Sequence, residues 1–172
     1  MKKEFEFPEG IEFGLMGKTF TAKGPKGSIE REFSNSFVTM SIRDNKAVVE
    51  SESDKRKEKA IVGTWISHVG NMVKGVSEGY EYTLKAIFSH FPLTIKVENG
   101  EFLVQNFLGE KGARRTKILD GTEITVKGQD ITIKGINKEK VGQMACDLER
   151  ITKVRNLDRR VFADGIYITG HG

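Results

Sequence analysis

Residues 41–45, Ser-Ile-Arg-Asp-Asn, and residues 125–129, Thr-Val-Lys-Gly-Gln, lie 84 positions apart in a chain of 172 residues. Each stretch ends on a pair of turn-forming residues, which is typical of a β-hairpin. Ser53 and Asn137 follow at the same spacing, and both residue types favour the cap of a helix. The repeat predicts an α+β fold with two tandem similar domains, each an antiparallel sheet packed against one long helix.

Apolar residues at spacings of three and four predict the two helices. The first spans about residues 54–76, with Ser53 or Asp54 as its cap, and the second follows the repeated cap. The predicted domains are residues 1–80 and 81–172, and the second carries most of the basic residues discussed below. Alternating segments between turn signals predict strands at residues 5–7, 19–22, 29–33, 37–42, 47–50, 80–89, 93–97, 102–105, 115–119, 123–126, 131–134, 160–162 and 166–168.

The composition excludes several classes of protein. The single cysteine, Cys146, allows neither an internal disulfide nor a multi-cysteine metal site, and His68, His90 and His171 lack metal-ligand spacing. No apolar run approaches the roughly 18 residues of a membrane span, and the N-terminus has no signal-peptide core. No paired acid–base group is recognisable. We therefore expect a cytoplasmic protein that is not an enzyme, with no cofactor, metal, membrane partner or small-molecule substrate.

Two basic clusters lie in the second half of the chain. Residues 111–117, Lys-Gly-Ala-Arg-Arg-Thr-Lys, hold four positive charges and no negative one. The other cluster runs from the end of the second helix into the following loop: Arg150, Lys153, Arg155, Arg159 and Arg160. Loop cations of this kind can contact phosphates, and the release of counterions then supplies affinity for nucleic acid. A solvated surface, or attraction of cations to the helix C-terminus by its dipole, is the alternative.

The first helix has an unusual face opposite its apolar stripe. No acidic residue occurs between residues 59 and 77, and two glycines in mid-helix cost about 1 kcal/mol each relative to alanine. Contact with RNA or with another protein would explain this face. The alternative is packing against the other domain, or a few unexceptional glycines. The residues of the face are Gly63, Ser67, Gly70 and Lys74, with Thr64 and Asn71 at its edge.

The turn at residues 24–27, Gly-Pro-Lys-Gly, also has two interpretations. Glycine-rich turns with a nearby lysine can cradle a phosphate group, and Lys18 and Lys23 lie close in sequence. An ordinary turn between two strands is the alternative.

Four motifs resemble the large-subunit ribosomal protein L6 family. The motif at residues 71–76, Asn-Met-Val-Lys-Gly-Val, is shared with the bacterial branch of that family. The other three resemble the archaeal and eukaryotic branch: residues 89–92, Ser-His-Phe-Pro; residues 106–111, Asn-Phe-Leu-Gly-Glu-Lys; and residues 160–168, Arg-Val-Phe-Ala-Asp-Gly-Ile-Tyr-Ile. The chain lacks a long basic N-terminal extension, which favours the archaeal type.

The resemblance implies a structural, non-catalytic constituent of the large ribosomal subunit that supports translation. Its partners would be large-subunit ribosomal RNA near the factor-binding region, close to the sarcin–ricin loop, and neighbouring ribosomal proteins at the stalk base. The resemblance extends RNA contact to Lys111, Arg114, Arg115, Lys117, Arg159, Arg160, Asn71 and Lys74. The second basic cluster adds Lys153 and Arg155. The alternative function is a protein-interaction module that uses the glycine-bearing face of the first helix.

Overall fold

A computed structural model describes residues 2–8, 10–43, 45–53 and 55–172. The chain divides into two compact units, the first ending at Gly79 and the second beginning at Tyr80. Every pair of neighbouring strands is antiparallel within the described part of the chain. The predicted α+β class, with one long helix in each unit, is confirmed.

The first unit contains two three-stranded sheets and one helix, where the sequence predicted a single sheet. The sheets have the strand orders β1-β6-β5 and β2-β3-β4. The prediction missed β2, in which Gly14 interrupts the alternation of apolar and polar residues. The elements are β1 (Lys2–Glu6), β2 (Glu12–Met16), β3 (Thr19–Gly24), β4 (Gly27–Glu32), β5 (Val38–Arg43), β6 (Lys46–Ser51) and α1 (Arg56–Ser77).

Helix α1 begins with a hydrogen-bonded box that differs from the predicted cap. Its N-cap residue is Lys55, whose side chain makes no capping hydrogen bond. Ser53 instead donates from its backbone nitrogen and its hydroxyl to the two carboxylate oxygens of Glu58, at 3.0 and 2.7 Å. This arrangement joins the first turn to the preceding chain, as a capping box does. The alternative cap, Asp54, and Asp44 of the predicted hairpin lie outside the described residues.

The turn between β3 and β4 closes the C-terminal end of α1. The backbone nitrogen of Lys26 donates to the carbonyl oxygen of Val76 at 3.1 Å, and its ammonium group donates to the carbonyl oxygen of Glu78. A Cβ on Gly24 would lie 2.7 Å from the same Val76 oxygen, which is too close for any other residue. Because these donors bind helix carbonyls, the structure favours a structural turn over a phosphate cradle.

Strand β1 explains one of the two mid-helix glycines, Gly70. A Cβ on Gly70 would lie 3.2 Å from the ring of Phe5, so the missing side chain lets a strand of the same unit approach the helix closely. A Cβ on Gly63 would make only an ordinary contact, 3.9 Å from the ammonium nitrogen of Lys3, so β1 does not require a glycine there. Neither RNA nor a partner protein is needed to explain Gly70.

The second unit repeats this plan and adds one strand. Its sheets have the orders β11-β12-β7-β13 and β10-β9-β8. Asn137 caps its helix as predicted, because its side-chain oxygen accepts hydrogen bonds from the backbone nitrogens of Glu139 and Lys140. The elements are β7 (Tyr80–Ile87), β8 (Thr94–Glu98), β9 (Glu101–Gln105), β10 (Arg114–Lys117), β11 (Thr122–Lys127), β12 (Asp130–Gly135), α2 (Lys138–Ile151) and β13 (Gly165–His171).

The repeat that predicted two domains is visible in the strand register. Arg43 pairs with Lys46 across the β5–β6 hairpin, and Lys127 pairs with Asp130 across the β11–β12 hairpin, 84 residues later. All other pairs of the two hairpins also match at this offset. The predicted strand at residues 160–162 is wrong, because the backbone nitrogens of Val161 and Phe162 both donate to the Asp158 carbonyl and curl the chain into a turn.

Each unit buries its own apolar core between its sheets and its helix. In the second unit this core includes Leu84, Phe102, Phe107, Met144 and Leu148, which are almost wholly removed from solvent. Burial of such side chains is the main stabilising term of a fold of this size. Within the described residues, neither helix is long and apolar enough to cross a membrane.

Candidate nucleic-acid interface

Strand β10 separates the adjacent arginines of the first basic cluster. Successive side chains of a strand point to opposite faces, so Arg115 and Lys117 are exposed while Arg114 and Thr116 are half-buried. The strand predicted from the sequence begins at residue 115, which leaves Arg114 in the loop. The one-residue difference in the strand boundary determines which of these cations faces solvent.

The structure brings the two basic clusters together. Four arginines and one isoleucine line a hollow of about 470 Å³, which we call the arginine hollow: Arg114, Arg115, Arg150, Ile151 and Arg155. Two of the arginines come from β10, one from the last turn of α2 and one from the loop after α2. Among the described residues, no carboxylate lines this hollow, so its electrostatic potential favours an anion.

A second hollow adjoins the first because Arg150 and Arg155 line both. It adds Lys153 and Arg159 to the same surface, and Glu149 is the one carboxylate among its described lining residues. Its lining also includes the buried residues Thr152 and Ile166, which a hydrogen bond connects: the backbone nitrogen of Ile166 donates to the Thr152 hydroxyl at 2.8 Å. This bond attaches the end of α2 to β13.

Arg114 differs from the other cations because its guanidinium group is bound within the unit. Its Nε and Nη2 atoms donate to the two carboxylate oxygens of Glu110, at 2.8 and 2.6 Å. Its Nη1 atom donates to the carbonyl oxygen of Ile151 at 2.6 Å, and the group lies 4.2 Å from the ring centre of Phe107. The predicted contact of Arg114 with RNA therefore stays a prediction.

The remaining predicted cations of this unit face solvent. The side chain of Arg115 is 68% exposed, and its Nη1 atom lies 3.9 Å from a carboxylate oxygen of Glu101. The side chain of Arg160 is 93% exposed, and its Nε atom lies 3.4 Å from the Oδ1 atom of Asp158. Ion pairs this exposed contribute little energy, so a phosphate group can replace them at low cost. Lys111 is also exposed.

The two predicted residues of the first unit, Asn71 and Lys74, lie on α1. Lys74 is exposed and Asn71 is half-buried. Neither lines the arginine hollow or the second hollow.

The motifs at residues 89–92 and 160–168 meet at a buried carboxylate, and the motif at residues 106–111 binds the first of them. Asp164 is 0% exposed and accepts hydrogen bonds from the backbone nitrogens of Ser89 and His90, both at 3.2 Å, and from the His90 ring at 3.1 Å. Burial alone would raise the pKa of the Asp164 carboxyl, but these hydrogen bonds outweigh burial and lower it. Asn106, with a φ of 60°, donates from its side chain to the Pro92 carbonyl at 3.1 Å.

Comparison with known proteins decides the family. Residues 7–79 and 91–165 each match the model of the family described as "Ribosomal protein L6". The chain belongs to the ribosomal protein L6 family. Because the family model matches twice, once in each unit, the family assignment and the fold agree on a tandem arrangement.

Relatives from several organisms match over nearly their full length, and all carry the name "Large ribosomal subunit protein uL6". The protein of Methanosarcina mazei is 45% identical over 96% of this chain and 94% of its own. The protein of Sulfurisphaera tokodaii is 47% identical over 96% and 90%, and that of Staphylothermus marinus 47% over 99% and 94%. The predicted family and its archaeal type are confirmed.

Membership in the L6 family also settles the broad functional class. The chain is a ribosomal protein, so the predictions that it is not an enzyme and that it works in the cytoplasm are confirmed. The three motifs carry the resemblance in the second unit, and hydrogen bonds of Asp164 and Asn106 connect them to one another. Ile166 and Tyr167 of the last motif also line the second hollow.

Sequence reasoning missed three residues of this site. Arg150 was placed in the second basic cluster but not among the predicted contacts, although it lines both hollows. Glu110 is the carboxylate that binds Arg114, and the spacing of four residues between them is the signal that was available. Asp164 was noted only as part of the last motif, and its hydrogen bond with Ser89, 75 positions earlier, is what reveals its role in the packing.

Proposed function

We propose that this chain is a structural constituent of the large ribosomal subunit and that its second unit binds large-subunit ribosomal RNA. The observation that carries the proposal is the arginine hollow, in which cations from two separate sequence clusters meet without a lining carboxylate among the described residues. Such a concave cationic surface fits the sugar–phosphate backbone of a folded RNA. The names of the relatives assign those proteins to the large ribosomal subunit, which supports the same assignment for this chain.

The proposed contacts follow from exposure and position. The exposed cations of the two hollows and of the loops beside them would bind phosphates and fix the protein on the RNA, and RNA shape would supply most of the specificity. The resemblance adds two contacts from the first unit. The residues are Lys111, Arg115, Lys117, Arg150, Lys153, Arg155, Arg159 and Arg160, together with Asn71 and Lys74.

The location within the subunit is part of the proposal. By its resemblance to the L6 family, the chain would bind near the factor-binding region, close to the sarcin–ricin loop, beside other ribosomal proteins at the stalk base. Sedimentation of a cell extract tests the assembly, and the protein should travel with large subunits. Chemical footprinting of those subunits, with and without the protein, should then protect nucleotides near the sarcin–ricin loop.

The attraction of cations to the dipole of α2 explains the second basic cluster less well. At the C-terminal end of α2 it is Arg114, a residue of the first cluster, that donates to the Ile151 carbonyl. The exposed Arg150, Lys153 and Arg155 surround this end, but the carbonyl contact is already made from β10. Their concentration around a hollow favours a ligand that carries several negative charges.

A binding experiment with a salt titration tests the proposed function. We expect the change of Arg115, Arg150 and Arg155 to alanine to weaken binding to a large-subunit RNA fragment about 10-fold to 100-fold. The slope of log affinity against log salt should fall by roughly 2 to 3, because up to three phosphate contacts are lost. Circular dichroism would verify that the variant is folded.

The matched control removes three exposed lysines that line neither hollow: Lys85, Lys96 and Lys127. The control has the same net charge as the arginine variant, so a pure effect of net charge would weaken both proteins equally. Equal affinities and equal salt slopes for the two variants would remove the arginine hollow from the RNA site. A wild-type protein that binds small-subunit RNA as well as large-subunit RNA would contradict the proposed function itself.

A further inference from the structure

We propose that Arg114 and Glu110 form a positioning pair, which fixes the geometry of the arginine hollow without contacting RNA directly. This inference rests on the proposed function, because the hollow is the proposed RNA site. It assigns Arg114 a different role from that of the exposed arginines beside it, and it gives a role to Glu110, an acidic residue at the edge of a basic site.

The donors of Arg114 are the first argument. A guanidinium group has five N–H donors in one plane, and three of them bind Glu110 and the Ile151 carbonyl at 2.6 to 2.8 Å. The Nη1 atom also lies 3.5 Å from the Lys153 carbonyl. The ring of Phe107 lies 4.2 Å away on one face of the group. A phosphate group that approached Arg114 would have to displace contacts that the unit already makes.

The position of these partners in the fold is the second argument. Glu110 belongs to the loop before β10, and Ile151 is the last residue of α2. One guanidinium group therefore connects the loop and β10 to the end of the helix. Arg115 follows on β10 and Arg150 precedes Ile151 on α2, so this connection sets the distance between the two sides of the hollow. The planar, two-pronged contact holds an orientation as well as a distance.

Charge is the third argument. The hydrogen bond from Arg114 lowers the pKa of the Glu110 carboxyl, against the opposing effect of its partial burial, so Glu110 is ionised at neutral pH. The pair as a whole then carries no net charge. An RNA backbone gains little electrostatic energy from such a pair, whereas it gains more from the exposed and less tightly paired Arg115.

The change of Glu110 to glutamine distinguishes a positioning role of Arg114 from direct phosphate binding, because the two roles predict opposite changes in RNA affinity. If Arg114 binds phosphate directly, Glu110→Gln removes a negative charge near RNA, releases Arg114 and strengthens binding. If the pair positions the hollow, the same change weakens binding to the large-subunit RNA fragment about 10-fold, although the protein becomes more positive. The salt slope should stay unchanged, because no phosphate contact is removed.

Arg114→Lys provides a second and independent discrimination. Lysine keeps the positive charge that a phosphate would need but cannot form the two-pronged contact with a carboxylate. We therefore expect Arg114→Lys to weaken binding nearly as much as Arg114→Ala. Affinity close to that of the wild-type protein would assign Arg114 to direct contact and overturn the positioning role. Glu123→Gln, the same change on an exposed residue of β11, is the control and should not weaken binding.

Hydrogen exchange tests the pair without RNA. In Glu110→Gln, amides at residues 150–155 should exchange faster than in the wild-type protein, while those of the α1 unit keep their rates. Unchanged exchange at the end of α2 would overturn the proposal, as would RNA binding that is equal to or tighter than that of the wild-type protein. If the wild-type protein fails to bind large-subunit RNA, the proposed function is wrong, and the exchange rates alone decide whether the pair holds the hollow.

Discussion

Asp164 provides the sharpest test of the packing that supports the candidate interface. We expect Asp164→Asn to lower the free energy of unfolding of the second unit, because an amide cannot accept all the hydrogen bonds that the carboxylate accepts from Ser89 and His90. The amide nitrogen would face a backbone N–H group, so two donors would meet in a buried place. The change keeps the size of the side chain and isolates its charge and its acceptors.

The expected loss in the free energy of unfolding follows from these hydrogen bonds. Three hydrogen bonds end on the carboxylate, and a bond to a charged group contributes about 1.5 to 3 kcal/mol before the cost of burying the charge. Asparagine keeps one acceptor, and a buried donor without an acceptor costs about 1 to 3 kcal/mol. We therefore expect a net loss of about 2 to 4 kcal/mol.

The sign of the pH dependence follows from the lowered pKa. The folded protein holds the pKa of Asp164 below its usual value of 3.8, so the carboxylate stabilises the fold above that value and the contribution is lost as the pH falls through the folded pKa. The difference in stability between the wild-type protein and Asp164→Asn should therefore be full well above pH 3.8 and shrink as the pH falls below that value.

Urea denaturation followed by circular dichroism measures this difference, with hydrogen exchange to assign it to the second unit. Trp65 is the only tryptophan of the chain and lies in the first unit, so its fluorescence reports on that unit separately. A loss below about 1 kcal/mol, or a difference that stays constant from neutral to acidic pH, would refute the reasoning, since either result means that the ionised carboxylate does not hold the motifs together.

Two further predictions concern the ends of the helices. Gly24→Ala should destabilise the first unit by about 1 to 3 kcal/mol in urea denaturation, because its Cβ would meet the Val76 carbonyl at 2.7 Å. The control is Gly112→Ala, whose Cβ meets nothing within 4 Å, and it should change stability by less than about 0.5 kcal/mol. Equal losses of stability in the two variants would contradict the steric explanation. Asn137→Ala should cost about 1 kcal/mol through the lost cap of α2, and a thermal melt with an unchanged midpoint would show that the cap contributes nothing.

Local signals in the sequence predicted the local structure well. Asn99-Gly100 lies between the predicted strands at residues 93–97 and 102–105, and it joins β8 to β9 as a turn. Its two residues have positive φ angles of 52° and 74°, which these residue types tolerate best. Asn137 caps α2 as predicted because a cap depends on neighbours two or three residues away. The corresponding prediction for Ser53 was wrong, because Ser53 bonds to the Glu58 side chain.

Contacts between distant residues limited the prediction of the site. The sequence identified both basic clusters, but their meeting in one hollow depends on how β10 packs against the end of α2. The separation of Arg114 from Arg115 depends on the exact start of β10, and strand boundaries are the weakest part of sequence-based prediction. The close approach of strand β1 to Gly70 was likewise invisible, because the sequence offered no signal for which element packs there.

The position of β13 in the sheet has a consequence for the order of folding. This strand pairs with β7, and its first residue, Gly165, meets Ile87, 78 positions earlier in the chain. The entropy of closing so long a loop is lost before the contacts compensate for it, whereas the neighbouring hairpins close locally. We expect β13 to dock late in refolding. Since Ile166 of this strand lines the second hollow, a refolding chain would acquire that surface only in its slowest step.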